Sequence, residues 1–498
     1  MCGVVGVVNH KSVGATLYDA LIVLQHRGQD SAGIMTEKKQ QLFQRRKTGL
    51  INQVFRESRH IKHLKGSQGI AHTRYPTAGS FDRTQVQPFY VNSPCGLGLA
   101  HNGNLTNSKE LRDSIVHSGH RHINTESDSE VLLNVFARAL EKRISDGITT
   151  DAVFGAVRDV QEKCRGAYSV VVLVVGFGLV AFRDKYGVRP LCLGKKTDER
   201  GETSYMVASE SISLDATGYT RIKEVPNGSA VLITNQLEVC ERQLVENPVL
   251  YPCLFEYVYL SRPDSVINGV SVFSARQNMG RKLGEQIRKT WPDHDIDLVI
   301  GVPDTSRVAA SALAQVINRP YSEALIKNRY VGRTFIMAGQ ELRQRSIKRK
   351  LNMVASEVEG KNILLIDDSI VRGNTAREIV RMARNCGAKR VYLASAAPPV
   401  SYPNIYGIDM PTADELLTSH RSIEKARQYI DCDRLIYQTI ADLEASVREL
   451  NPDLKHFENS VFTGNYLPDD NFLAEEYFAQ LALERNDASR VKKLKSVV

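Results

Sequence analysis

The sequence predicts two consecutive units, a first half of strands and turns and a second half built as a doubly wound α/β sheet. Three observations carry this. A chain of 498 residues is long for one hydrophobic core, so two or three domains are expected. The first half contains apolar runs broken by turns; Val170 to Phe182, interrupted by Gly176 and Gly178, reads as a β-hairpin. The second half alternates helical periodicity with short apolar runs, the pattern of a parallel sheet covered by helices. The boundary is placed near residue 235, after a strand at Ala230 to Thr234. Pro248, Pro252 and the approach to Phe255-Glu256-Tyr257 then read as a linker. The expected division is 2–235, 236–470 and a charged, helical-looking tail at 471–498.

Hydrophobic residues at 42% and charged residues at 24% describe an ordinary soluble globular protein. The net charge of +9 suits either nucleic acid or a substrate bearing several phosphates, and its position decides between them. From Lys327 to Lys350 there are eight basic residues against one acid, Glu341, so most of the surplus sits in one segment. The eight cysteines contain no C-x-x-C pair, which reads as reduced thiols in a cytoplasmic protein. The N-terminus lacks a basic and apolar signal region, and no apolar run reaches the length of a membrane span. No membrane partner is expected.

In chain order, Met1-Cys2-Gly3 opens directly into an apolar strand. Removal of Met1, which the small Cys2 permits, would leave a thiol and a free α-amine on one residue. Such an amine titrates near pH ~7.7–8.0, so nucleophile and base would be the same residue. Four stretches accompany it: QHRGQDSAG from Gln25, AHTRYPTAG from Ala71, AHNGNL from Ala100 and NTESDSE from Asn124. With Cys2 they resemble the class II glutamine amidotransferase domain, over roughly the first 230 residues. The resemblance implies an α+β N-terminal-nucleophile fold of two antiparallel sheets between helices (αββα). It also implies Cys2 as nucleophile, with Asn102 and the Gly103 backbone N–H stabilising the oxyanion. Arg74 and Asp128 would hold the α-carboxylate and α-ammonium of glutamine, residue types suited to those charges. Arg27, Gly28 and Asp30 are read as shaping the pocket wall, and Ser209-Glu210-Ser211 also fits the domain.

Beyond the boundary, Ser274 to Lys289 has helical periodicity and Ile296 to Val302 reads as a buried strand. That strand ends in Pro303-Asp304-Thr305-Ser306-Arg307, where hydroxyls and a guanidinium suit an anion. Taken alone, Asp304 or Thr305 would be a helix N-cap. The central stretch is NILLIDDSIVRGNTAR, Asn362 to Arg377: a strand at Ile363 to Ile366, two carboxylates, a loop, and a helix opened by a Thr375/Glu378 capping box and ended by Gly387. The run Val391 to Ala394 completes a βαβ unit whose loop and helix N-terminus would seat a phosphate.

This stretch resembles the signature of type I phosphoribosyltransferases. The resemblance implies that Asp367 and Asp368 meet the ribose hydroxyls of phosphoribosyl diphosphate. Ser369, Arg372, Gly373, Asn374 and Thr375 would hold its 5-phosphate, and Thr305 and Ser306 its diphosphate. Mg²⁺, one per subunit with the substrate, would be bound by Ser306, Asp367 and Asp368. The stretch KNRYVGRTFIMAGQELR is similar to the mobile loop of the amidophosphoribosyltransferase family, adding Lys327, Tyr330 and Arg333 to the substrate contacts. Both halves together imply glutamine hydrolysis coupled to ammonia transfer, giving 5-phosphoribosylamine at the entry to de novo purine synthesis. They also imply purine nucleotide inhibition and a homo-oligomer, commonly a tetramer. Some relatives hold an iron–sulfur cluster through a C-terminal C-x-x-C; no cysteine follows Cys432, so none is expected. The competing reading is a nucleic-acid-binding regulator on a phosphoribosyltransferase fold. The intact set of Cys2, Arg74, Asn102 and Asp128 argues against it, and no nucleic-acid partner is expected.

Overall fold

The computed structural model describes residues 2–75, 83–119, 121–328, 350–410, 412–470, 477–479 and 483. Tyr330, Arg333, most of the basic segment and most of the tail lie outside the described residues.

Gly3–Val8 is buried along its whole length, which explains why its sequence is continuously apolar rather than alternating. Its two faces enter different cores. Val5 and Val7 pack with Leu17, Leu21 and Leu214 from the helices Gly14–Val23 and Ser211–Thr217, while Val4 and Val8 pack with Val171, Leu173, Leu179 and Val231 of a second sheet. The first sheet has seven strands, with Gly3–Val8 between Thr203–Ala208 and Gln68–Arg74. The second sheet has six and includes Leu97–Leu105, Gly166–Val174 and Gly178–Arg183. Its outer face is covered by the helices Asp128–Glu141 and Thr150–Lys163. Helix, sheet, sheet and helix are the expected αββα layers. The second sheet continues past residue 235 with one more strand, Val239–Gln243, paired to Ser229–Thr234.

The second half carries a five-stranded parallel sheet in the order Tyr321–Ser322, Leu298–Gly301, Asn362–Asp367, Arg390–Ser395, Arg434–Tyr437. Both faces are covered: Leu364 and Ile366 meet Leu283, Ile287 and Leu313, whereas Ile363 and Leu365 meet Ile379, Val380 and Ala383. The strand order reverses between Leu298–Gly301 and Asn362–Asp367, and doubly wound sheets bind ligands at the carboxyl ends of strands at such a switch.

The expected linker is not a free tether. Glu256–Leu260 forms one π-helical turn whose first three residues are buried. Cys253, Phe255, Ile405, Tyr406 and Ile408 share an apolar cluster with Ala167 and Val188 of the first half. Polar staples cross as well: Asn104 Nδ2 donates to Ile405 O at 2.9 Å, and Thr106 Oγ1 to Asp470 Oδ1 at 2.6 Å.

Leu365→Ala tests the placement of the central strand. Its side chain is wholly buried, so truncation is expected to cost about 2–5 kcal/mol. Calorimetry should show a lowered unfolding midpoint for the second half; an unchanged midpoint would contradict the assigned core face.

Candidate active sites

The first site forms where Gly3–Val8 begins. Cys2 is buried, its backbone nitrogen donates to Asn102 Oδ1 at 3.1 Å, and its Sγ lies 3.7 Å from Tyr75 O. Asn102 and Gly103 sit inside the strand Leu97–Leu105 rather than in a hairpin turn. The N–H groups of His101 and Leu105 are taken by Gln87 Oε1 at 2.8 Å and Asp128 Oδ2 at 3.1 Å. Gly103 lies between them in the alternation of the strand. Its φ of +146° and the 1.9 Å that would separate a Cβ from Ala167 O leave room only for glycine. Asn102 Nδ2 is buried with no hydrogen-bond partner among the described residues. A buried amide left this way has been desolvated without compensation, so the site presents a preset donor beside the thiol.

Arg74 closes the strand Gln68–Arg74, next to the residue whose carbonyl meets the thiol, and its guanidinium donates to Gln85 Oε1 at 2.5 Å. Asp128 is the first residue of its helix, with Ser127 rather than Asp128 as the N-cap. Five sequence-predicted residues are thereby placed in or directly beside three strands of the two sheets and at one helix N-terminus. Arg27, expected in the pocket wall, has a more direct place: its Nε donates to Cys2 O at 3.1 Å. Its guanidinium is buried between the carboxylates of Glu210 and Glu256. Burial alone would lower the Arg27 pKa, yet Glu256 and Glu210 hold it above the usual arginine value. Glu256 was not legible as a site residue because it lies in a proline-flanked stretch with no motif of its own.

The second site occupies the topological switch. Thr305 Oγ1 donates to Asp368 Oδ2, and Ser369 Oγ donates to Asp368 Oδ1 at 2.7 Å. Both acids are raised above the usual carboxylate range, Asp367 by burial and then by the Asp368 charge, Asp368 by burial against its hydroxyl donors. The edge therefore favours added positive charge or hydroxyl donors. Of the two hydroxyls expected together, Thr305 reaches the acidic pair, whereas Ser306 is buried and donates to Val302 O. Lys327 pairs with Asp304, and Arg372 with Glu415 at 2.8 Å. Asn374 Oδ1 accepts from the Tyr429 hydroxyl.

The expected capping box is not formed. The helix Asn374–Asn385 starts two residues early with Gly373 as N-cap at φ +76°, with no side-chain cap; Thr375 is exposed and Glu378 pairs with Arg381. Likewise neither Asp304 nor Thr305 caps the helix Arg307–Val316, whose N-cap is Ser306 without a side-chain bond. Left-handed glycine turns the loop so that the first amides of the Asn374 helix stay uncapped, as an anion seat requires.

A glutamine-cleaving pocket on an αββα unit and an anion-binding switch on a doubly wound unit define a two-domain amidotransferase. Family models agree: a glutamine amidotransferase domain matches residues 80–216 and a phosphoribosyl transferase domain residues 275–404. An amidophosphoribosyltransferase of Escherichia coli is 51% identical over 491 residues, covering 98% of this chain and 97% of that protein. A glutamine phosphoribosylpyrophosphate amidotransferase from B. subtilis, solved with ADP and GMP, superposes with a TM-score of 0.81 at 36% identity, covering 93% of this chain and 97% of that one. A solved allosteric regulatory enzyme of purine biosynthesis gives 0.82 at 36% identity, covering 93% and 96%. The chain belongs to the amidophosphoribosyltransferase family, whose members are pentosyltransferase enzymes.

Two buried histidines stand on the strands Gln68–Arg74 and Leu97–Leu105 of this site. His72 Nε2 donates to His101 O at 3.1 Å, and His101 Nδ1 meets Ser129 Oγ at 3.0 Å. Burial first, and then the Arg74 charge, push the His72 pKa down to about 3 from 6.5, so His72 is neutral when folded. Between those values the unfolded chain binds a proton that the folded chain refuses. Stability should be full above pH 6.5 and fall progressively toward pH 3. Urea midpoints measured across this range should decline in wild type and flatten in His72→Gln; equal slopes would exclude His72 as a source.

Proposed function

We propose that this chain takes nitrogen from the side-chain amide of glutamine and delivers it to C1 of 5-phosphoribosyl 1-diphosphate. The products are 5-phosphoribosylamine, glutamate and diphosphate, in the first step of de novo purine (IMP) biosynthesis. The observation that carries this reading is the junction of Cys2 and Asn102. Asn102 spends its oxygen on the nitrogen of the nucleophilic residue and keeps its amide hydrogens uncommitted.

Loss of Met1 converts the Cys2 nitrogen to an α-amine that accepts the thiol proton. Cys2 Sγ then bonds to the amide carbon of glutamine, whose α-carboxylate and α-ammonium are held by Arg74 and Asp128. The negative charge on oxygen is met by Asn102 Nδ2 and the Gly103 N–H. Collapse to the thioester expels ammonia carrying the transferred proton, and water opens the thioester to glutamate and free thiol. Ammonium is not a nucleophile, so the ammonia must cross without bulk water.

In the second half, Asp367 and Asp368 bind the ribose hydroxyls, and Ser369, Arg372, Gly373, Asn374 and Thr375 surround the 5-phosphate. The diphosphate is assigned to Thr305, Ser306 and Lys327, together with Tyr330 and Arg333 from outside the described residues; Ser306 Oγ, bonded to Val302 O, must turn to reach it. Mg²⁺ fits this donor set: two acids that favour added positive charge, with no cluster of three or more such ligands among the described residues, leave substrate oxygens to complete the shell. Asp367 and Asp368 would hold it, Ser306 being the remaining candidate, and bound there it neutralises charge on the diphosphate. Regulation by purine nucleotides, a homotetrameric assembly and a cytoplasmic location belong to the same reading. Among the described residues no helix is long and apolar enough to cross a membrane.

Cys2→Ala should abolish glutamine use while leaving product formation from ammonium salts near wild type; loss of both in one preparation would sink the division of labour. Conversely, Asp367→Asn combined with Asp368→Asn should leave glutaminase within a few-fold and reduce phosphoribosyl transfer by two orders of magnitude or more, about the scale of losing a key electrostatic group. Unchanged transfer would refute the acidic-pair assignment.

A further inference from the structure

We infer that Glu256, contributed by the segment that enters the second half, is a positioning residue for the glutamine-cleaving centre. Its one buried carboxylate fixes the nucleophile and the oxyanion strand relative to each other. The inference rests on the function proposed above and deepens it.

Two paths leave this carboxylate. Arg27 Nη2 donates to Glu256 Oε1 at 2.9 Å and Oε2 at 3.1 Å, and its Nε is left to hold Cys2 O at 3.1 Å. Arg189 Nη1 donates to Glu256 Oε1 at 3.3 Å, while its Nε and Nη2 both donate to Tyr406 O, at 2.9 and 2.6 Å. The residue after Tyr406 presses on the oxyanion strand: a Cβ on Gly407 would lie 2.7 Å from Gly103 O and 2.8 Å from Gly103 C. Asn104 Nδ2 grips Ile405 O on the neighbouring residue, and Asn404 Oδ1 folds the turn by accepting from the nitrogens of Tyr406 and Ile408, both at 2.9 Å. One path therefore ends on the backbone of the nucleophile, the other on the backbone of Gly103.

Glu256, Arg27 and Arg189 are each at most 2% exposed. A planar guanidinium bonded on several edges transmits direction as well as distance, and a misplacement of about 1 Å between reacting groups costs on the order of 100-fold in rate. None of the three faces the glutamine-binding pair of Arg74 and Asp128 through any contact described above. Their effect should thus fall on turnover rather than on substrate binding.

Glu256→Gln keeps the shape and removes the charge. In one preparation, kcat with glutamine is expected to fall about 10- to 100-fold. KM for glutamine should stay within about threefold and ammonia-dependent product formation within about twofold, since Arg74, Asp128 and the phosphoribosyl site are untouched. Gly407→Ala reaches the same centre through the clash of its Cβ with Gly103 and the backbone strain of a φ of +98°, and should give the same split. Wild-type glutamine kcat in both variants would overturn the inference. So would joint loss of the ammonia-dependent activity, which would reduce the cluster to a folding element, or a KM rise at unchanged kcat. Wild type assayed alongside separates the two ideas: no glutamine use by wild type overturns the proposed function, whereas equal use by wild type and both variants overturns only the positioning role.

Discussion

Arg27 and Glu256 are each almost entirely removed from water, where a charge is costly unless it is paired. Glu210 completes the balance by accepting from Arg27, His26 and Ser265, and its carboxyl is held below the usual range because Arg27 and His26 outweigh the burial that would raise it. Such a cluster contributes little net stability compared with apolar packing, but leaving any member unpaired is costly. Its residues come from both halves of the chain. The relative placement of the two halves is therefore specified by charge pairing as much as by the apolar cluster beside it.

The two sites are prepared in opposite electrostatic ways. At the thiol, the buried Asn102 Nδ2 is a neutral donor with no partner among the described residues. At the switch of the parallel sheet stands a pair of carboxylates raised above the usual range, Asp367 by burial and the Asp368 charge, Asp368 by burial. The first arrangement waits for negative charge that arises only during reaction, whereas the second waits for something present in the bound substrate or its cation. That contrast fits a chain in which one half makes a fleeting intermediate and the other holds a stable polyanion.

Much of this was legible from local pattern. The run Ile363 to Ile366 announced a strand buried on both faces, and it is one. Cys2, Arg74, Asn102 and Asp128 were named together by the resemblance of their motifs to the class II glutamine amidotransferase domain. Local pattern failed where another contact took the role it had assigned. Thr375 and Glu378 had the spacing of a capping box, but the left-handed Gly373 took the cap position and Arg381 took the glutamate. Glu256 read as part of a linker because its partner Arg27 lies 229 residues away, a separation that leaves no periodicity to detect.

The bond from Thr106 to Asp470 carries a consequence for biosynthesis. Thr106 follows directly on Leu105, whose N–H anchors Asp128, so a contact adjoining the glutamine pocket is supplied by the far end of the chain. A ribosome must have emitted the chain through Asp470 before that contact can close. The nascent first half thus lacks one brace of its pocket until the half that consumes the ammonia has been synthesised.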